Sequence, residues 1–445
     1  MVFGLGKLFG NSDEPEKPAK PPAPTPSADA TTTAAAMTFV RRDAVFNRDR
    51  RIVGHLYRLQ HPGNEDPAHA TALRPRAIDE TLLSALCDGN AHWGSKMGFI
   101  PLSSRSLDDP LLLKLPTENT VLLLTLAEED SDPEHLLERV NLLRERGIRV
   151  GVFRQPRHPG FAPLLGVVDF GAIDVAEAQG SIVRDFSVAL RSSRDLHRTI
   201  ELFGAHIETL DDVQLCHRCH FSYFHGPFAK HGDSWKPAKS SNPHKMHLMH
   251  LLNLVQSDAE NREIAVHVKQ DPILTFRILR YLNSPAIALV RTISSIDEAL
   301  ILLGRQKLMR WLSVLLFSVK NPDYADWLLV ENALSRGRLM ELLGEQGMDS
   351  DQLFLTGILS NLDRILHIPL PEAISQLNLP DEIPRALLQA QGPYAPLLLV
   401  AEACEGQDGE RIALAAQRCG LDPIEVNQAL LAATAWASDV TSHWE

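Results

Sequence analysis

Long hydrophobic runs and cysteine are scarce in this sequence. The chain has 445 residues, yet its longest apolar stretches, such as 121–127 and 311–319, fall far short of the roughly 18 residues needed to cross a bilayer. Its five cysteines are an odd number scattered along the chain, which excludes a disulfide framework and favours a reducing compartment. Residues 1–10 lack the continuous apolar region of a secretory signal peptide. We therefore predict a cytoplasmic protein with no transmembrane segment.

Positive charge is also in deficit. The chain carries 44 basic and 56 acidic residues, a formal net charge of −12. This balance gives no overall attraction to the phosphates of nucleic acid or to anionic lipid, so DNA binding has no support. Apolar residues (44%) and charged residues (22%) are near the average of globular proteins, and the length allows two or three domains.

The first 37 residues differ in composition from the rest. Six prolines lie in residues 11–36, and the first large apolar side chain after them is Met37. Such a segment cannot bury enough apolar surface to offset its ordering entropy, so residues 1–37 are predicted to form a disordered arm. The decapeptide at its start, residues 1–10, is either a frayed terminus or a short docking or membrane-touching motif.

Two further segments follow. In residues 38–231, β-like runs alternate with helical stretches, which is typical of a doubly wound sheet or a compact βα barrel. In residues 232–445 the strand signals stop and leucines recur at helical spacing, so this part is predicted to be all-α. The sequence thus predicts a multidomain protein with a hinge near residues 237–243.

Four polar residues are predicted to begin helices. Ser257 and Ser295 each start a capping box, with glutamate three residues later. Asp132 and Asp271 each precede a proline, which is well tolerated at the first helical position. We therefore interpret Asp271 as a helix cap and not as a metal ligand.

Residues 38–231 resemble an EAL domain, the cyclic-di-GMP phosphodiesterase fold of bacteria. Five stretches occur in the order of that family: FVRRDAVFNRDRRIVGHLYR (39–58), RERGIRVGVF (144–153), VVDFGAID (167–174), HIETLDD (206–212) and FSYFHGPFAK (221–230). The resemblance implies a βα-barrel-like domain.

Residues 232–445 resemble an HDOD domain, the HD-related output domain. Three runs carry the likeness: 251–285 around LLNLVQSDAENREIAVHVKQDPILTFRILRYLNSP, 294–312 around SSIDEALILLGRQKLMRWL, and TGILSNLD at 356–363. Together the two parts resemble the EAL-HDOD class of bacterial signalling proteins.

The EAL resemblance implies metal-assisted hydrolysis, which requires several carboxylates around Mg²⁺ or Mn²⁺. Two positions of the family's motif keep an acid, Asp174 and Glu208, and we interpret both as vestigial. The other positions are degenerate: His55, Pro101, Phe153, Arg154, Ala172, Ala205 and His225. The sequence therefore predicts no catalytic residue, no bound metal, no cofactor and no enzyme activity.

The HDOD part is also predicted to be inert. Where a hydrolase would continue with His-Asp after Gly357-Ile358-Leu359, this chain has Ser360 and Asn361. The resemblance implies an interaction or output module.

A cysteine and histidine cluster gives two alternatives. Cys216, Cys219 and His220 match the pattern of covalent haem attachment, but that chemistry occurs outside the cytoplasm. With His225 they form a weak zinc alternative, and coincidence is favoured because structural zinc sites usually pair two such knuckles. The series His244, His247 and His250 adds a second cluster near the hinge.

One compact basic cluster, residues 304–310, lies in the helical part. It is either a phosphate or partner contact at a helix start, or a solvated face opposite the leucine stripe, which we favour.

The sequence supports two functions. The first is a non-catalytic signal-transduction scaffold, in which the degenerate EAL domain senses or docks and the HDOD domain contacts protein partners. A change of packing across residues 232–245 would transmit the signal, and homo-oligomer formation stays open. The alternative is a cyclic-di-GMP receptor or weak phosphodiesterase that retains nucleotide binding in the EAL-like domain.

Overall fold

The computed structural model describes residues 38–60, 76–130, 132–192, 199–229, 243–282, 293, 295–318, 322–406 and 408–442. The predicted disordered arm lies outside this part of the chain, as does the predicted hinge except for Pro243.

Eight strands close into a barrel in sequence order. They are β1 (Phe39–Asn47), β2 (Ile52–Gln60), β3 (Met97–Ser103), β4 (Thr120–Thr125), β5 (Arg149–Phe153), β6 (Phe170–Asp174), β7 (Glu201–Ala205) and β8 (Tyr223–His225). Strand β1 is antiparallel to β2 and β8, and the strands from β2 to β8 are parallel to their neighbours. The barrel, and not the doubly wound sheet, is therefore the correct one of the two predicted architectures.

Helices cover the outside of the barrel, since parallel strands are buried on both faces. They are α1 (Arg76–Asp88), α2 (Pro133–Glu145), α3 (Phe161–Leu165), α4 (Gly180–Ser192) and α5 (Leu210–Arg218). Helix α2 begins as predicted, because the side chain of Asp132 accepts the backbone N–H groups of Glu134 and His135.

Aromatic rings fill the interior of the barrel. The ring of Phe99 lies 5.2 Å from that of Phe203 and 6.1 Å from that of Phe170, and Tyr223 contacts both Phe99 and Phe170. The barrel is therefore a packed core and not a pore.

The described residues after 242 are helical, which confirms the all-α prediction for them. The helices are α6 (Pro243–Gln256), α7 (Asn261–Lys269), α8 (Pro272–Leu282), α9 (Ile296–Leu303), α10 (Arg305–Leu316), α11 (Tyr324–Leu343), α12 (Ser350–Leu359), α13 (Leu362–Leu366), α14 (Leu370–Ser375), α15 (Glu382–Gln389), α16 (Ala395–Glu405), α17 (Gly409–Arg418) and α18 (Pro423–Ser442). Helices α11 and α12 cross closely at two glycines, because a Cβ on Gly357 would lie 2.7 Å from the Cα of Gly337.

Two of the three predicted helix starts in this part are confirmed. The side chain of Ser295 accepts the N–H of Glu298, and that of Asp271 accepts the N–H of Leu274. The prediction at Ser257 is wrong, because residues 257–259 form the turn between α6 and α7.

A buried ionic cluster joins the helices to the outer wall of the barrel. Glu331 on α11 accepts hydrogen bonds from Lys96 at 2.9 Å and Ser438 at 3.2 Å, and lies 3.0 Å from the Nε2 of His55. Lys96 also donates to Thr441 on α18. The barrel and the helical part therefore share one buried interface.

Among the helices that the structure describes, none combines the length and hydropathy required for a bilayer span.

Candidate functional site

The carboxyl ends of β2 to β8 form one mouth of the barrel, the end where βα barrels place their active sites. The amino half of the antiparallel β1 reaches the same mouth. Side chains alternate along a strand, and Val45 and Leu56 belong to the interior cluster. On β1, Asp43 and Arg41 lie two and four residues before Val45, and on β2, Arg58 lies two residues after Leu56. The side chains of these three residues therefore point into the barrel, at its mouth.

Asp43 lies between the two arginines. Arg58 Nη2 donates to Oδ2 at 2.8 Å and Arg41 Nη2 donates to Oδ1 at 2.9 Å, and all three side chains are nine-tenths buried or nearly so. Burial alone would raise the pKa of Asp43, but the guanidinium groups of Arg58 and then Arg41 hold it well below its usual range. Two cations thus share the carboxylate of Asp43 at the mouth.

His225 lies beside this group at the end of β8. Burial, followed by the charge of Arg58, holds the pKa of His225 well below its usual range, so its ring is neutral. The ring stacks on Phe203 and meets His206 edge-on at 5.6 Å. Its Nδ1 is buried and makes no hydrogen bond within the described residues. A neutral ring with an unused polar atom therefore borders the mouth.

Asp174 ends β6 at the same mouth. Its Oδ2 accepts a hydrogen bond from His206 Nδ1 at 2.8 Å, and its Oδ1 accepts the N–H groups of Ala176 and Glu177. These contacts hold Asp174 at the strand end, and its interpretation as vestigial stays a prediction.

The structure corrects the assignment of His55. Its side chain points out of the barrel to Glu331, so it does not stand where a metal-binding carboxylate of β2 would face the mouth. The inward positions of β2 include Gly54, where a Cβ would lie 2.7 Å from the ring of Phe99. An aromatic ring therefore occupies the space beside this part of β2.

The other predicted positions divide between the interior and the surface. Four are buried within strands of the barrel: Pro101, Phe153, Ala172 and Ala205. Arg154 is half-buried after β5. Glu208 is exposed before α5, whereas Asp174 is buried at the end of β6. Within the described residues, no three histidine, cysteine, aspartate or glutamate side chains converge on a point that could hold a metal ion.

The zinc alternative places its residues on different surfaces. Cys216 is buried against the outer face of β7, where burial raises the pKa of its thiol to about 12. Cys219 is also buried, whereas His220 is exposed and His225 lies in the barrel. The four residues are therefore not brought together as ligands.

Two histidines of the second series, His244 and His250, make contacts with different partners. His244 pairs with Asp271 at 3.2 Å, and the ring of His250 contacts that of His267 at 4.6 Å. Each makes a local contact between neighbouring helices.

At the degenerate HD position Arg336 contacts Ser360. Arg336 donates to Ser360 Oγ at 2.7 Å and holds Glu405 through two hydrogen bonds of 2.8 and 2.6 Å. Glu402 lies 3.5 Å from the same guanidinium, and Asn361 is buried next to Ser360. One cation here lies between two carboxylates.

Sequence reasoning missed the arginine pair at the mouth. Arg41 and Arg58 are directly opposite in the register of β1 and β2. Like charges in that arrangement repel unless a carboxylate is shared, and Asp43 is two residues from Arg41 on the same face. The pattern Arg-x-Asp in β1, paired with an arginine in β2, was the available signal.

Residues 243–379 match the family model of the HDOD domain. The curated protein "Cyclic di-GMP phosphodiesterase CdgJ" of Vibrio cholerae is 26% identical over 413 residues, covering 91% of this chain and 93% of that protein. "Uncharacterized protein YuxH" of Bacillus subtilis is 27% identical over 194 residues, covering 42% of this chain and 47% of that protein.

Among solved structures, the YkuI protein of Bacillus subtilis, with an EAL domain in complex with cyclic di-GMP and calcium, shares 13% identity and a TM-score of 0.35, covering 54% of this chain and 73% of that one. The resemblance to an EAL-HDOD signalling protein is confirmed, with a barrel followed by helices that contain an HDOD domain. The exact domain boundaries, at 37/38 and 231/232, stay predictions.

The prediction that the chain is not an enzyme is contradicted. A relative that aligns with nine-tenths of the chain is named a phosphodiesterase, and this points to an enzyme. The prediction failed because it treated missing motif residues as decisive for the whole chain.

Proposed function

We propose that the protein works in bacterial cyclic-di-GMP signalling, with the barrel mouth as the recognition site for the dinucleotide and the HDOD domain as the contact for a partner protein. The alignment with CdgJ supports the proposal because it runs through both parts of the chain. A place in the cytoplasm, where such a nucleotide is made and degraded, belongs to the same proposal.

The arginine pair at the mouth supports the proposal. Arg41 and Arg58 share one carboxylate, so a guanidinium group can take up a phosphate of the ligand while Asp43 stays paired with the other. The neutral ring of His225 adds a polar atom at the same place. This geometry favours a phosphate-bearing ligand.

Hydrolysis enters the proposal through the relative's name and not through the geometry. The two carboxylates of the mouth are occupied, Asp43 by two arginines and Asp174 by His206 and two N–H groups. The described residues there do not fit a divalent cation, whose site needs several oxygen ligands. The hydrolysis of cyclic di-GMP is therefore measured together with its binding.

Calorimetry of the full chain with cyclic di-GMP, with and without Mg²⁺ or Mn²⁺, tests recognition, and chromatography of the same samples detects the linear dinucleotide. We expect a dissociation constant of about 10 µM or tighter, weakened at least tenfold in Arg58→Met. The matched control is Arg76→Met, because Arg76 is exposed on α1 and pairs only with Glu80 in the described structure. Absence of binding, or equal loss in both variants, would refute the proposal.

A further inference from the structure

The two strands that carry the arginines of the mouth also carry a contact with the helical part. In the register of β1 and β2, Arg41 lies opposite Arg58, and the next pair on the same face is Phe39 and Gln60. We call residues 39–41 and 58–60 the ribbon end. Two residues along a strand span about 7 Å, so the pair Phe39 and Gln60 lies directly beside the arginine pair.

The helical part holds the pair Phe39 and Gln60. Phe39 is 2% exposed and belongs to a hydrophobic cluster whose other buried members come from residues 248–440. Gln60 is 3% exposed, and its Nε2 donates a hydrogen bond to the carbonyl oxygen of Gly406 at 3.2 Å. Helices therefore pack against one member of this pair and accept a hydrogen bond from the other.

A second set of hydrogen bonds holds the start of β1. The backbone N–H of Val40 donates to Oδ1 of Asn427 at 2.9 Å, and Nδ2 of Asn427 donates to the carbonyl oxygen of Thr38 at 3.0 Å. Asn427 is buried on α18. Because the ends of strands open more readily than their centres, these contacts set how often the ribbon end is ordered.

Gly406 leads from the ribbon end to the degenerate HD position. It is the C-cap of α16, and the residue before it, Glu405, accepts two hydrogen bonds from Arg336 on α11. Arg336 also donates to Ser360 at the end of α12. The end of α16 is therefore connected to β2 on one side and to α11 and α12 on the other.

The basic cluster at residues 304–310 is built differently. Arg310 is only 10% exposed, holds Glu341 through two hydrogen bonds and lies 4.0 Å from the centre of the Phe354 ring. The favoured prediction of a solvated face is therefore wrong for Arg310. These partners are helical residues, so the contacts of Arg310 join helices to one another, whereas the ribbon end joins the barrel to the helices.

We propose that the ribbon end couples the barrel mouth to the helical part. An anionic ligand on Arg41 or Arg58 stabilises the ordered ribbon end, and the ordered ribbon end stabilises the end of α16 at Gly406. This inference rests on the proposed function, because cyclic di-GMP is the ligand that brings the phosphate. Since both sites depend on the order of one element, a partner that stabilises α16 tightens nucleotide binding by the factor with which the nucleotide tightens partner binding.

Hydrogen exchange of the full chain, with and without cyclic di-GMP, tests the coupling. In the wild type, the nucleotide should slow exchange in residues 399–406 about fivefold. In Gln60→Met, which keeps the length of the side chain but removes its donor, this protection should fall below about twofold. The affinity of Gln60→Met for the nucleotide should be weaker by a similar factor.

The matched control is Gln428→Met. Gln428 on α18 donates to the carbonyl oxygen of Asp88 on α1 at 2.9 Å, so it makes the same kind of bond between the helical part and the barrel domain, but at α1 and not at the ribbon end. Gln428→Met should leave both the affinity and the protection of residues 399–406 unchanged.

A cycle without nucleotide separates this proposal from the proposed function. Arg58→Met loosens the mouth side of the ribbon end and should speed exchange in residues 399–406 severalfold, with less change in residues 350–359. In the Gln60→Met chain, Arg58→Met should add little, because the connection is already broken.

Three results would overturn the coupling. The first is nucleotide binding that leaves exchange in residues 399–406 unchanged. The second is an equal effect of Gln60→Met and Gln428→Met. The third is an Arg58→Met chain whose exchange in residues 399–406 is unchanged, or is accelerated no more than in residues 350–359. If calorimetry detects no binding of cyclic di-GMP, the proposed function fails, and the cycle without nucleotide still decides whether the ribbon end couples the two parts.

Discussion

The barrel mouth and the degenerate HD position of the helical part both contain buried arginines paired with carboxylates, but in opposite ratios of cation to shared anion. At the mouth, Arg41 and Arg58 share the carboxylate of Asp43. In the helical part, Arg336 alone serves two glutamates, including Glu405. Where two cations share one carboxylate, either cation can leave it with the carboxylate still paired, whereas a single cation between two carboxylates is needed to hold both.

This difference predicts that Arg336→Met lowers the free energy of unfolding more than any other substitution considered. Its removal leaves Glu405, which is 21% exposed, without its cation, and breaking such a buried pair costs about 3–5 kcal/mol of unfolding free energy. Urea denaturation followed by circular dichroism measures the loss. The double variant Arg336→Met/Glu405→Gln is the control and should regain part of it. A loss below about 1 kcal/mol would contradict the structural role of this arginine.

The second-largest loss of stability is expected at the buried ionic cluster around Glu331, which joins the barrel to the helical part. Glu331→Gln leaves Lys96 and His55 without their anion and should cost about 3 kcal/mol at neutral pH. Burial alone would raise the pKa of Glu331, but Lys96 and then His55 hold it well below its usual range.

The same substitution has a signature in pH. Because the folded pKa of Glu331 is depressed, its charged form contributes stability above the unfolded pKa of about 4.3, and this contribution is lost as the pH falls towards the folded pKa. The unfolding free energy of the wild type should therefore fall below about pH 5 more steeply than that of Glu331→Gln. The exposed Glu80→Gln is the control, and parallel curves for wild type and Glu331→Gln would contradict the assignment.

Arg58→Met, measured beside Arg336→Met, compares the two arginine sites most directly. Arg41 remains to pair with Asp43, so the loss of stability should be about 1–2 kcal/mol, smaller than for Arg336→Met. The affinity for cyclic di-GMP should nevertheless fall at least tenfold. If both arginine variants lost equal stability, the distinction between a shared and a sole cation would not hold.

The sequence alone predicted more of the architecture than of the side-chain arrangement at the barrel mouth. Alternating strand and helix signals predicted either a doubly wound sheet or a βα barrel, and helical leucine spacing predicted the helical part, because both signals depend on local periodicity. The choice of the barrel came from the resemblance to an EAL domain. His55 was misplaced because inward and outward residues on a strand differ by one position, and the residue opposite the interior Val45 is Gly54. The arginine pair was missed because cross-strand pairing is not visible in one strand alone.

The smallest expected effect on the free energy of unfolding is that of Asp174→Asn. Asp174 is the residue at the mouth where a position of the EAL motif keeps its acid. Asparagine keeps an oxygen for the N–H groups of Ala176 and Glu177, and its amide can donate to His206 in the other tautomer, so Asp174→Asn should cost below about 1 kcal/mol. Alanine removes these acceptors and should cost about 1–2 kcal/mol. Urea denaturation and cyclic-di-GMP turnover are measured on the same preparations. A structural aspartate predicts that any turnover of the wild type survives in Asp174→Asn. Its loss in a variant of unchanged stability would instead make the carboxylate charge catalytic, and the mouth would then differ from the helical site in chemistry as well as in charge.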